Sequence, residues 1–217
     1  MIQLYSGTPG SGKSLHTADK IRCLNMRGIP VITNIQINTK YLKKPDLYFY
    51  VDLYDITPAF LVGWYVSHKE KFNIKHEGDI FVFIDECQRI FNSRDYNVSG
   101  RRAWLDFFSI HRHFYYNIIL IAQWDNMIDK QIRALIEIEV KHRRMWFMGK
   151  FGKICEILAM RKLFLVIECY YTLHVKLSMY LTIGRKKIYR LYDTHAVFKQ
   201  DLPKNLKKQL EENNIKI

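Results

Sequence analysis

Met1-Ile2-Gln3-Leu4-Tyr5-Ser6-Gly7-Thr8-Pro9-Gly10-Ser11-Gly12-Lys13-Ser14 opens the chain, and its reading decides the fold. Residues 1–6 alternate apolar and polar side chains as a strand does. Glycines then stand at 7, 10 and 12, and Leu15, Ala18, Ile21 and Leu24 follow at the spacing of one helix face. Strand, glycine-rich turn and helix, carrying G-x-x-x-x-G-K-S, make up the arrangement that wraps backbone N–H groups around a run of phosphates. Gly7, Thr8, Pro9, Gly10, Ser11, Gly12, Lys13 and Ser14 are therefore expected to bind a nucleotide. Lys13 would be the countercharge to the terminal phosphates, and Ser14 would offer its hydroxyl to magnesium. The competing reading is a glycine-rich turn with an exposed lysine. Common-residue frequencies put a chance match at about one per cent, and the flanking strand and helix lower it further.

Moving outward, Gly28 and Pro30 stop the first helix, and Val31-Ile32-Thr33 is short and β-branched, as a buried strand is. Thr57-Pro58 reads as the N-cap and first turn of a helix through about Lys71. Asp79 to Ile84 is a near-continuous apolar strand ending in Asp85-Glu86, and Asn117 to Ala122 is another, ending at Gln123. Between them, Ser99 to His113 carries Trp104, Leu105 and Phe108 on one helical face. This alternation predicts an α/β fold with a central, mainly parallel, doubly wound sheet. Beyond Ala134 the segments 136–147, 153–159 and 170–181 read as strands, giving a β-rich C-terminal extension of one domain over residues 1–198. Residues 199–217 form a polar, charged tail.

The two acids after an apolar strand have a chemical reading. Asp85 is expected to hold the magnesium ion and Glu86 to polarise an attacking water, so that the nucleotide is hydrolysed. An acidic strand-end turn is the plain alternative. A water-directed glutamate also argues against a small-molecule kinase, in which an acceptor hydroxyl attacks. Gln123, at the end of a neighbouring strand, would point into the same crevice and sense the terminal phosphate, or it merely caps the strand. Arg112, in His111-Arg112-His113, and Arg133 are candidates for stabilising transition-state charge, against the ordinary role of a solvated surface arginine. The two histidines alone are too sparse for a metal site.

Composition narrows the partners. With 34 Lys+Arg against 21 Asp+Glu the chain carries a net charge of +13, which calls for a polyanion or an anionic membrane surface. Basic residues recur at Lys141, Arg143, Arg144, Lys150, Lys153, Arg161 and Lys162, and again at Arg185, Lys186, Lys187 and Arg190, with aromatics among them. Such a surface can track a phosphate backbone, dock on anionic lipid, or simply be solvated. Cys23, Cys87, Cys155 and Cys169 show no C-x-x-C pairing, so neither a disulfide framework nor a zinc site is indicated. No signal peptide is visible. The longest apolar run, residues 59–66, is far shorter than the roughly 20 residues a spanning helix needs. The expectation is a cytoplasmic protein with no membrane span of its own.

Read in order, the G-T-P-G-S-G-K-S loop, Thr33-Asn34, F-V-F-I-D-E-C-Q at 81–88, H-R-H at 111–113, I-I-L-I-A-Q at 118–123 and Tyr192-Asp193-Thr194-His195 resemble the Zot (zonula occludens toxin) family over residues 1–198. The resemblance implies an additional-strand P-loop ATPase that works as the assembly and export motor of a filamentous bacteriophage. It would use ATP and Mg2+ to drive extrusion of single-stranded phage DNA. Implied partners are further copies of the chain in a ring, such as a hexamer, together with phage DNA and coat or membrane export proteins. Implied localisation is the cytoplasm of a bacterial host, at the inner face of the cell membrane where a partner brings it there. Related ring motors place interface arginines near the position of Arg133. Family members usually continue into a membrane-spanning helix, which this sequence does not show before Ile217. A partner would then supply the anchor, or the task is DNA packaging or conjugative translocation. An ATP-switched scaffold that barely hydrolyses is the non-enzymatic alternative.

Overall fold

A computed structural model describes residues 1–93 and 100–192. The first strand, β1 (Ile2–Ser6), runs into the glycine-rich loop and then helix α1 (Lys13–Arg27), which ends on Gly28 in a left-handed cap. Next come β2 (Val31–Thr33), β3 (Tyr48–Tyr50), α2 (Pro58–His68), β4 (Ile80–Ile84), α3 (Arg101–Ile110), β5 (Tyr116–Ile121) and α4 (Lys130–Arg133). The chain continues through β6 (Ile138–Arg144), α5 (Gly149–Ala159), β7 (Leu163–Tyr170), β8 (Lys176–Ile183) and α6 (Lys186–Leu191). As the sequence predicts, Thr57 caps α2, its hydroxyl accepting from the Phe60 N–H at 3.1 Å with Pro58 in the first turn.

All eight strands form one sheet in the order β3-β2-β4-β5-β1-β6-β7-β8. The pairings from β3 across to β6 are parallel, whereas β7 and β8 are antiparallel additions. β5 lies between β1 and β4, which is the additional strand of the predicted fold. The near-continuous apolar sequences of β4 and β5 follow from burial on both faces. Ile32, Val82, Ile84, Ile118 and Leu120 pack on one side against Leu61, Trp64, Trp104 and Phe108 from α2 and α3. Tyr5, Phe83, Ile119 and Ile121 pack on the other side with Ile21 and Leu24 of α1.

Three local expectations need correcting, and two strands, β7 and β3, carry no clear signal. Residues 153–159 are not a strand but part of α5, because Gly152 and Glu156, four residues apart, make the contacts of one helix face. The strand read over 170–181 is two strands, with a turn at 171–173 and His174 at φ 53° between them. β7 does not stand out from that apolar stretch in sequence, since it is covered on both faces and lacks clean alternation. The helix read over 99–113 ends at Ile110 and tightens into a 3-10 turn over His111–Phe114, closed by Tyr115 in the left-handed region at φ 60°. β3, three aromatic residues long, gives no periodic signal. Ser99, residues 193–195 of the resemblance and the 199–217 tail lie outside the described residues.

Candidate functional site

The sheet brings three loops to one end. β1 delivers residues 7–14, its neighbour β5 delivers Gln123, and β4 beyond it delivers Asp85 and Glu86, all at carboxyl ends of parallel strands. Crevices of this kind outside the carboxyl ends of strands are where open α/β sheets bind ligands.

The loop is closely held from behind. Gly7 donates its N–H to the Gln123 carbonyl at 3.2 Å, and Ser11 donates to Thr8 O at 3.1 Å. Gly7 sits at φ 146°, and a Cβ there would fall 2.5 Å from the His142 carbonyl, so β6 leaves room for glycine alone. α1 begins without a side-chain cap and without an acid in its first turn, leaving its N–H groups and positive end toward the loop. The Lys13 ammonium folds back onto the Gly7 carbonyl and, at 3.4 Å, the Thr8 carbonyl. Partial burial lowers its pKa, while the charges of Asp85 and Glu86 oppose that shift. Among the described residues the buried Ser11 hydroxyl has no hydrogen-bond partner. A lysine that, among the described residues, bonds carbonyls of its own loop, with an uncapped helix start and an orphaned hydroxyl, fits a phosphate chain in this cradle.

Opposite the loop, Asn34 clamps the backbone of Asp85. Its Oδ1 accepts from the Asp85 N–H at 2.7 Å and its Nδ2 donates to the Asp85 carbonyl at 3.0 Å. Asp85 Oδ1 accepts the Glu86 N–H at 2.9 Å. Glu86 itself is in the left-handed region, φ 51° and ψ 38°, a turn that swings its side chain out from the strand end. The Gln88 amide donates to the Glu86 carboxylate. Tyr192, just past α6, faces the Ser14 hydroxyl; burial raises its phenol pKa, the Ser14 hydroxyl lowers it, and the negative charges of Asp85 and Glu86 raise it again. Tyr192 also lines a cavity of about 80 Å³ with Asn34, Asp85, Glu86 and Arg89.

Of the predicted residues, the loop, Asp85, Glu86 and Gln123 thus come together. Gln123 meets the loop through its backbone carbonyl. It also lines a cavity of about 330 Å³ with Gly7, Thr8, Glu139, Lys141 and Arg143. Arg112 does not join them. It lies at the amino ends of the strands, paired with Glu137 at 2.7 Å and Glu77 at 3.5 Å, where Glu77 also meets the Met1 amine. That is the wrong end of the sheet to reach the loop of its own chain. Arg133 lies on α4, on the connection from the carboxyl end of β5 back to the amino end of β6, 4.0 Å from Asp125, and lines a separate cavity of about 890 Å³ with Arg101, Arg102 and Lys130. Among the basic residues, Arg144 is withdrawn from any ligand by Glu156, which takes its Nε at 3.2 Å and its Nη2 at 3.0 Å.

Sequence reasoning gives no role to Asn34, Tyr192 or a buried histidine pair. His142 Nδ1 faces the Ser6 carbonyl at 3.2 Å and its Nε2 faces His16 Nδ1 at 2.7 Å, so His142 donates to the carbonyl and accepts from His16. Burial pushes the two rings down to about 4 for His16 and about 3 for His142. They tie α1 to β6 directly behind the loop. Only tertiary structure joins positions 16 and 142, so no spacing could have announced them.

The chain is similar to known proteins. A family model described as Zonular occludens toxin (Zot) matches residues 1–197. The Gene 1 protein of Enterobacteria phage fd is 27% identical over 152 residues, covering 66% of this chain and 42% of that protein. The match therefore spans less than half the length of that relative. Among solved structures, one ATPase domain is 11% identical with a TM-score of 0.59, over 88% of this chain and 84% of that one. The N-terminal domain of zonular occludens toxin from Neisseria meningitidis is 20% identical with a TM-score of 0.49, over 88% and 98%. The fold is that of a P-loop NTPase.

Proposed function

The chain belongs to the Zot family, and on that premise we propose that it is an ATP-hydrolysing motor for assembly of a filamentous phage and extrusion of its DNA. One observation carries the reading: β4, β5 and β1 stand side by side and deliver Asp85-Glu86, Gln123 and the glycine-rich loop to one crevice. The uncapped start of α1 and the loop N–H groups bind the phosphates, and Lys13 leaves the Gly7 and Thr8 carbonyls to neutralise the terminal ones. Ser14 and Asp85 would hold a magnesium ion, which supplies charge neutralisation at the β- and γ-phosphates. Glu86, swung out of the strand line, accepts a proton from the attacking water, and Gln88 fixes its carboxylate. Gln123 reads the terminal phosphate. Arg133 completes the site of a neighbouring copy in a ring.

Steady-state ATP hydrolysis with and without single- and double-stranded DNA, at stated salt, tests this. Turnover stimulated by single strands supports the export motor. Stimulation by duplex alone moves the reading to a packaging or conjugative translocase, and binding without turnover moves it to an ATP-switched scaffold. Lys13→Ala should lose binding and turnover together. Glu86→Gln should bind ATP normally and cleave it about a hundredfold more slowly or worse. Normal turnover in a folded Glu86→Gln protein would overturn the assignment.

A further inference from the structure

α5 is built inside out. Its inward face is not apolar: Gly152 lies so close to the Met145 carbonyl that a Cβ there would come within 1.9 Å, and the buried Glu156 carboxylate binds Arg144 and the Trp146 N–H at 3.1 Å. Its large apolar residues all point to solvent. Phe151 is 73% exposed, Ile157 64%, Leu158 79% and Ile154 54%, and the flanking Phe147 and Met160 are 69% and 90% exposed. A contiguous apolar patch of this kind is rare on a surface that meets only water.

Charge selects what covers it. Between Val140 and Ile167 the only acid is Glu156, which the Arg144 pair already neutralises, against Lys141, Arg143, Arg144, Lys150, Lys153, Arg161 and Lys162. Lys150, Lys153, Arg161 and Lys162 are exposed around the patch. Nucleic acid answers the charge but gives little to Ile154, Ile157, Leu158 and Met160, which cannot stack on bases. A second copy answers the apolar residues but brings the same cations. An anionic bilayer answers both, with acyl chains for the patch and headgroups for the lysines. We propose that α5 with Phe147 docks peripherally on an anionic membrane, lying in the interface with Phe151 and Leu158 inserted. No helix among the described residues is long and apolar enough to cross a membrane, so this contact lies on the bilayer.

The test is flotation of the full chain, without nucleotide, with vesicles of phosphatidylcholine alone and of phosphatidylcholine mixed with phosphatidylglycerol. The wild type should float with the mixed vesicles only, and added salt should weaken the binding. Phe151→Ser with Leu158→Ser should reduce it by about tenfold or more, because two inserted apolar side chains are lost. Both side chains are exposed, so the variant should keep its circular dichroism and melting temperature. Lys150→Glu with Lys153→Glu should abolish the preference for anionic lipid. Three results would each overturn the proposal: no flotation of wild type, undiminished flotation of the serine variant, or a concentration-dependent oligomer that the serine variant dissolves, which gives the face to a second copy. None depends on ATP, so the proposed motor can fail without affecting this result.

Discussion

Asn34 holds Asp85 by both of its amide atoms, accepting the Asp85 N–H at 2.7 Å and donating to its carbonyl at 3.0 Å. The side chain at the end of β2 thereby sets the backbone from which Asp85 and Glu86 leave β4. Asn34→Ala removes two hydrogen bonds at a partly buried position, each worth about 1 kcal/mol net, so unfolding in urea should show a loss of about 1 to 3 kcal/mol. ATP turnover should fall more than ATP affinity, because the loop proposed to grip the phosphates is untouched. An unchanged kcat with a stability loss would make Asn34 purely structural.

Tyr192 faces the hydroxyl that the proposed magnesium site needs. The phenol and a metal-bound nucleotide would compete for the Ser14 hydroxyl. Tyr192→Phe deletes that competitor while keeping the ring in place, and one net hydrogen bond is about 0.5 to 1.5 kcal/mol. Titration with a fluorescent ATP analogue should show severalfold tighter binding with magnesium and little change without it. Weaker binding in the variant would mean that the phenol contacts the nucleotide instead.

The His16–His142 pair gives the fold a pH dependence with a definite sign. Both rings are held neutral, with folded values of about 4 and about 3 against the ordinary 6.5. The unfolded chain binds protons that the folded chain refuses once pH drops below about 6.5, so stability falls as pH falls through the window from about 6.5 toward 4. Each ring contributes a slope of up to about 1.4 kcal/mol per pH unit. His142→Gln should lower stability at pH 7 and flatten that slope in urea melts. An equal slope in the variant would put the acid sensitivity elsewhere.

How much of this the sequence disclosed depends on the range of the interaction. The glycine-rich loop, the β4 strand with its acids and the β5 strand with Gln123 are local patterns, each complete within about ten residues, so periodicity and composition revealed them. Their meeting at one crevice followed from the rule that parallel strands present their carboxyl ends together. Asn34 and Asp85 stand 51 residues apart, and His16 and His142 stand 126 apart. Such pairs leave no trace in one sequence. The strand read over 153–159 erred for a different reason. Ile154, Ile157 and Leu158 have helical spacing, but the inward residues are Gly152 and Glu156, so hydrophobicity marks the outer face of α5 rather than its packed one. Arg112 erred because the H-R-H stretch precedes β5 and so falls at the sheet's amino end.

Arg133 carries the last prediction, that it acts in a neighbouring copy. It stands beyond β5 on α4, and the cavity it lines shares no residue with the loop of its own chain. Within that cavity Asp129 is taken up by Arg101, and outside it Asp125 faces Arg133 at 4.0 Å, too long for a firm pair. A guanidinium placed where charge spreads in the transition state accelerates phosphoryl transfer, and supplying it from a neighbour makes hydrolysis depend on assembly. Arg133→Ala should bind ATP normally and hydrolyse it about a hundredfold or more slowly. Wild-type activity per subunit should rise with protein concentration. Mixing gives the sharper measurement. An Arg133→Ala copy keeps a sound loop and a Lys13→Ala copy keeps a sound arginine, so rings containing both should regain part of the activity that each lacks alone. If co-assembled mixtures regain nothing, or the wild type is fully active at every dilution, the arginine does not act in trans, and the exposed Arg102 of the same cavity is the next to substitute.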